Sequence, residues 1–150
     1  MPDFAAAPFH RDAEARTWVA ATLARLTPRE KIAQMFNVLI YGNSDEEIAA
    51  LRALGPGSVA RLETLEPEAE RAFIAAFNAA CPVPVLVTAD LEGSFTAPRG
   101  TTPVPTPLGM AAANDPALTE AVSRLMAAEA AEVGINWSFT PLLDISAAPR

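Results

Sequence analysis

The run Val83-Pro84-Val85-Leu86-Val87-Thr88-Ala89 is apolar on both sides of a strand's pleat, and it stops at Asp90-Leu91-Glu92-Gly93-Ser94. A strand without a polar face needs cover on both sides, and that requirement belongs to parallel sheets flanked by helices. In such sheets ligands gather outside the carboxyl ends of the strands. Asp90 and Glu92 therefore stand where an active-site edge would be.

The punctuation on either side repeats in step with that strand. Thr27-Pro28-Arg29-Glu30 offers a capping threonine, a proline at the first helical position and a glutamate reaching back, so a helix should open there and run to about residue 35. A short strand is expected over 36–41. Ser44-Asp45-Glu46-Glu47 is a second capping box, opening a helix with Ile48, Leu51 and Leu54 on one face and ending at Gly55-Pro56-Gly57. A strand over 58–62 follows, then a helix from Glu66-Pro67-Glu68 with Phe73, Ile74 and Phe77 at core spacing, closing near Pro82. The strand 83–89 is third. Asn114-Asp115-Pro116 opens a last helix whose Leu118, Val122, Leu125, Met126 and Val133 fall on one stripe, with Gly134 at its end. A fourth strand is expected over 137–143, ending on Asp144.

Four alternations of strand and helix call for a parallel sheet with right-handed crossovers. An open doubly wound sheet would show a Gly-rich phosphate loop after an early strand, and Gly42-Asn43-Ser44 lacks the G-x-G-x-x-G spacing. The reading that remains is α/β: the N-terminal half, about four β/α units with parallel strands, of a TIM-type (β/α)8 barrel. Residues 1–26 read as a leader containing a helix, and 27–150 as a partial barrel incomplete at its C-terminus. Four strands leave two open edges and an unmatched inner layer, so such a chain alone should dimerise, aggregate or require the remaining half of the barrel.

Charge limits the partners. Eleven Lys and Arg against 18 Asp and Glu give a net charge of −7 with no basic patch, which argues against nucleic acid. The single cysteine, Cys81, cannot form an internal disulfide. The leader carries His10, Arg11, Asp12, Glu14 and Arg16 where a secretory signal would need an apolar core, and no stretch is apolar enough to span a membrane. These features make a cytoplasmic address the expectation.

The connection 90–114 shows no periodic pattern and is rich in proline and glycine. A structureless loop of that length is uncommon unless functional, and the loops after barrel strands build active sites. Asp90 can accept hydrogen bonds from sugar hydroxyls while Glu92 anchors the loop through backbone N–H groups. Extended geometry continued past Asp90 would put both acids on one face. Asp144, at the end of the neighbouring strand, could form a glycosidase pair with Asp90, since strand spacing of about 4.8 Å approaches the separation of a retaining pair; it could equally bond to the next loop. Arg99 is the one cation of the connection, able to meet a hydroxyl, a carboxylate or solvent. The lone histidine, His10, has no Cys or His cluster around it in the sequence, so no metal site is expected.

From Leu26 onward the chain resembles the N-terminal domain of glycoside hydrolase family 3, the β-glucosidase and β-N-acetylhexosaminidase group. Leu26-Thr27-Pro28-Arg29-Glu30-Lys31-Ile32-Ala33-Gln34-Met35 is similar to the family's opening helix, and Thr88-Ala89-Asp90-Leu91-Glu92-Gly93-Ser94 to its Asp-x-Glu-Gly-Gly turn. Gly134-Ile135-Asn136-Trp137-Ser138-Phe139-Thr140-Pro141-Leu142-Leu143-Asp144 resembles its fourth strand. The resemblance implies a retaining glycosidase that needs no metal or cofactor. It implies that Asp90 holds hydroxyls of the sugar at the cleavage point and that Arg99 is a second sugar contact, with Glu92 and Asp144 supporting the site. It also implies that the nucleophilic aspartate, a Lys-His sugar-binding pair and, in the N-acetylglucosaminidase branch, a His-Asp general acid/base lie on later strands. No catalytic residue is then expected in this chain, and these 150 residues alone should be inactive.

The short leader and the 134–139 strand resemble the single-domain β-N-acetylhexosaminidases, which makes an N-acetylglucosaminide or another β-glycoside the expected substrate. A β-glucosidase of the same family and a non-catalytic sugar-binding or interaction fragment are the alternatives. The chain departs from the family pattern at Ser94, which replaces the second glycine of the turn, and at Arg99, which stands slightly beyond the family's loop arginine. Arg150 arrives too early for a further sugar-binding arginine.

Overall fold

The computed structural model describes residues 5–6, 10–40, 44–61, 64–94 and 96–143. Its elements run α1 (Ala13–Arg25), α2 (Pro28–Ala33), β1 (Asn37–Ile40), α3 (Asp45–Leu54), β2 (Ser58–Arg61), α4 (Pro67–Ala79), β3 (Leu86–Ala89), α5 (Pro107–Ala113), α6 (Pro116–Glu132) and β4 (Trp137–Ser138). Strands pair in the order β1-β2-β3-β4, all parallel. Consecutive parallel strands joined through helices are successive staves of a (β/α)8 barrel, as the pattern of the sequence predicts. Among the described residues no helix is long and apolar enough to cross a membrane.

Local chemistry explains where the helices start. Thr27 caps α2 with a reciprocal box: its hydroxyl accepts from the Glu30 N–H, and the Glu30 carboxylate accepts from the Thr27 N–H at 2.8 Å. Ser44 accepts from Glu47 N–H to open α3, which closes on Gly55 at φ 65°. Asp115 takes the N–H groups of Ala117 and Leu118 to open α6, and Gly134, at φ 100°, ends the turn that follows.

The two faces of the sheet have different fates. Val59, Val85, Val87, Ala89 and Leu91 share a core with Ile40 and with Ile48 and Leu51 of α3, Ile74 and Phe77 of α4, and Ala130 of α6. Register places Val59 beside Val87 and Ser58 beside Leu86. The opposite face, the barrel's interior, therefore carries Ser58, Leu86, Thr88 and Trp137. There Leu86 is 47% and Trp137 42% exposed while Ser58 and Thr88 are buried, so the interior face is covered only in part.

Four expectations need correction. β3 begins at Leu86 rather than 83, because Pro84 has no N–H and the Val85 N–H is taken by the Asn78 side chain at 2.8 Å. β4 is two residues long, not seven. Beyond it Pro141 has no N–H to give, and the Thr140 hydroxyl takes the Leu91 N–H at 2.7 Å where a ladder bond would stand. The stripe on α6 is narrower than its apolar pattern, with Met126 and Ala130 buried but Leu118 and Leu125 exposed. The connection 90–114 is not without structure: Thr106 caps α5 as Thr27 caps α2, its hydroxyl accepting from Gly109 N–H.

Candidate functional site

β3 delivers Asp90 to the carboxyl end of the sheet. Leu91 joins the helix-side core, so by alternation Asp90 stands on the interior face with Leu86 and Thr88. Thr88, fully buried, holds that face: its hydroxyl accepts from the Asn37 side-chain amide at 3.2 Å and donates to Val59 O at 3.3 Å. Asp90 itself is half-buried, and among the described residues nothing hydrogen-bonds or ion-pairs with its carboxylate. An ionised carboxylate with unused lone pairs at a barrel mouth is a ready acceptor for hydroxyl groups. The β3–β4 register, Ala89 beside Ser138, puts Phe139 next in line with Asp90; Phe139 is 49% exposed, and its ring lies 5.0 Å from that of Trp137.

Glu92 goes elsewhere. Extended geometry gives way to a turn in which the Glu92 N–H donates to the Thr96 hydroxyl at 3.0 Å and Gly93 takes φ 142°. A side chain at Gly93 would press on the backbone of Pro105 and Thr106, and that φ suits glycine alone. Glu92 lines a cavity of about 310 Å³ with Pro107 and Met110 of α5, Thr119 and Met126 of α6, and Pro141. Asp90 is not part of that lining, so the two acids serve different spaces.

The segment after Gly93 is fastened at three points. At its neck the Ser94 hydroxyl donates to Val104 O at 2.8 Å and accepts from Val104 N–H at 2.6 Å. On its flank Thr102 gives its N–H and hydroxyl to the Glu129 carboxylate of α6, at 2.8 and 2.6 Å. At its tip the Arg99 N–H donates to the buried Thr64 hydroxyl at 2.8 Å. Gly100 passes so close to Pro67 that a Cβ there would collide with its ring. The Arg99 side chain is exposed, and no hydrogen bond or ion pair among the described residues engages its guanidinium.

Beneath the tip lies an ion pair that the sequence reading missed. Arg61, the last residue of β2, meets Glu70 of α4 through Nε and Nη2 at 2.7 Å each, both side chains fully buried, and its guanidinium lies 4.4 Å from the Phe73 ring centroid. The Glu70 carboxylate also accepts the Leu65 N–H at 2.9 Å, fixing the backbone next to Thr64. Spacing alone carries no signal for this pair, because it forms only where β2 packs on α4.

Other candidates are placed as follows. Asp144 and Arg150 lie outside the described residues. Among the described residues no group of three metal-ligating side chains forms. Burial pushes the Cys81 thiol above its ordinary value, against a weaker opposing pull from Arg52, so it is not an activated nucleophile.

The chain is similar in sequence and fold to several enzymes. A β-N-acetylglucosaminidase/β-glucosidase of Cellulomonas fimi is 33% identical over 147 residues, 97% of this chain and 26% of that protein. The chain thus spans about a quarter of that relative's length. A solved β-glucoside phosphorylase, BglX, bound to 2FGlc matches with a TM-score of 0.84 at 28% identity, over 95% of this chain and 26% of the other. An exo-1,3/1,4-β-glucanase from a Pseudoalteromonas species shares the fold with a TM-score of 0.71 at 23% identity, over 87% of this chain and 18% of its own. A model of the glycosyl hydrolase family 3 N-terminal domain matches residues 27–150. The chain belongs to glycosyl hydrolase family 3, within its N-terminal domain.

Proposed function

We propose that this chain forms the sugar-gripping part of an enzyme that cleaves β-glycosides, with β-N-acetylglucosaminides the preferred substrates and β-glucosides second. The observation that carries the reading is the Asp90 carboxylate, unengaged among the described residues, on the interior face at the end of β3. In this reading Asp90 accepts hydroxyls of the sugar at the cleavage point, and Phe139 lies under an apolar face of the ring. Arg99 reaches the same sugar from the side, while Glu92 shapes the cavity beside α5. The bond-breaking aspartate and the general acid/base belong to the rest of the barrel, which would work by a retaining, covalent mechanism. The name of the Cellulomonas fimi relative supports both substrates. The phosphorylase neighbour makes phosphate, as an alternative to water, the acceptor to be tested.

A chimera tests this. Residues 27–150 replace the matching segment of the Cellulomonas fimi relative, and release of p-nitrophenol from the β-N-acetylglucosaminide and the β-glucoside is followed with and without inorganic phosphate. The expected result is turnover of both by the chimera, none by the 150-residue chain, and a loss of at least about tenfold in kcat/KM for Asp90→Ala, as befits a charged hydrogen bond. Full activity of the Asp90→Ala chimera, or turnover by the chain alone, contradicts the proposal.

A further inference from the structure

The family's turn has a second glycine where this chain has Ser94, and the structure gives that side chain a task a glycine cannot perform. Its hydroxyl both donates to and accepts from the backbone of Val104, closing the neck of the connection. At the far end the Thr64 hydroxyl takes the Arg99 N–H, and Thr64 is itself held by the buried Arg61–Glu70 pair through the Leu65 N–H. We propose that Ser94 and Thr64 are positioning residues for Arg99: together they fix the backbone from which its guanidinium reaches the sugar. The inference rests on the reading of Arg99 as a sugar contact and adds what sets its place.

The physical case is one of order prepared before binding. A long side chain on a loose loop must surrender backbone and rotamer freedom when it meets a ligand, and that cost weakens binding. Here the backbone freedom is already removed, by hydroxyl bonds of 2.6 to 2.8 Å at neck and tip. Neither Ser94 nor Thr64 belongs to the group that would touch the sugar.

The test uses the 150-residue chain, N-acetylglucosamine as the probe and two readouts. Backbone amide exchange by NMR reads the fastening, and calorimetric titration reads affinity. Ser94→Gly and Thr64→Val should speed exchange at the Arg99 amide and weaken binding by about five- to thirtyfold, the loss expected when one residue's backbone must be ordered on binding. Ser94→Thr and Thr64→Ser, which keep the hydroxyls, should restore both. In the Arg99→Ala background the Ser94→Gly change should have no further effect on affinity, since its influence passes through Arg99. If Arg99→Ala weakens binding while Ser94→Gly and Thr64→Val leave affinity and exchange unchanged, the positioning role is overturned. If Arg99→Ala leaves affinity unchanged, or the chain binds no sugar, the reading of the site beneath it fails instead. Additive losses in the double variant also contradict the inference, because they assign Ser94 an effect independent of Arg99.

Discussion

Asp90 and Glu70 show how acidic residues acquire opposite roles from their surroundings. Asp90 keeps a carboxylate that nothing among the described residues engages, at an accessible strand end. Glu70 is fully buried and commits its oxygens to Arg61 and Leu65. Removing Glu70 takes from the buried Arg61 guanidinium the carboxylate that meets it in two hydrogen bonds. Glu70→Ala should therefore cost about 3–5 kcal/mol of unfolding free energy, the usual loss on halving a buried pair. Urea unfolding at about 25 °C reads that loss, and Arg61→Met together with Glu70→Leu should recover most of it, since an apolar pair of similar volume needs no counter-charge. A Glu70→Ala chain as stable as the parent would show that the pair contributes nothing to the fold.

At the scale of elements, what was legible in the sequence was local. Thr27, Ser44 and Asp115 cap helices with bonds that span three residues or fewer, so the residues themselves announce the start. The same logic should have found α5 at Thr106-Pro107, but Gly109 and the run of prolines before it hid a helix of seven residues with no apolar stripe. The Arg61–Glu70 pair and the fastening of Arg99 to Thr64, 35 residues away, depend on how β2 packs on α4 and could not be read from spacing. Ser94 was visible only as a departure from a pattern, its partner Val104 lying ten residues on. The capping box also makes a pH prediction. The Thr27 N–H, and after it the Thr27 hydroxyl, hold the Glu30 carboxyl below its ordinary value of 4.5. A folded value lowered in this way adds stability that is complete above the unfolded value and disappears as pH falls through the lower folded one. The first turn of α2 should accordingly loosen as pH falls below 4.5, seen as faster exchange of the residue-30 amide by NMR, and Glu30→Gln, which has no carboxyl to titrate, should remove that dependence. An exchange rate, corrected for its intrinsic pH dependence, that is flat through this range would contradict the assignment.

For the molecule as a whole, the decisive fact is a barrel sheet whose outer face is packed and whose inner face leaves its large apolar side chains exposed. Leu86 of β3, Trp137 of β4 and Phe139 just beyond it stand at 42–49% exposure on the side that would line a closed barrel. Exposed apolar side chains on a sheet whose edges are unpaired among the described residues favour association. Sedimentation velocity of the 150-residue chain should show mass rising with concentration, and Leu86→Lys should suppress that rise with little change in stability. A chain that stays monomeric at every concentration would show that this face is not adhesive. An NMR titration of the chain with N-acetylglucosamine tests the role of Asp90 in holding sugar at the interior end of β3. Amide shifts should concentrate at Asp90, Leu91 and Arg99 and be abolished in an Asp90→Asn variant whose melting temperature is unchanged. Saturating shifts at the same positions that survive Asp90→Asn, or no shifts at the β3 end at all, would contradict that role.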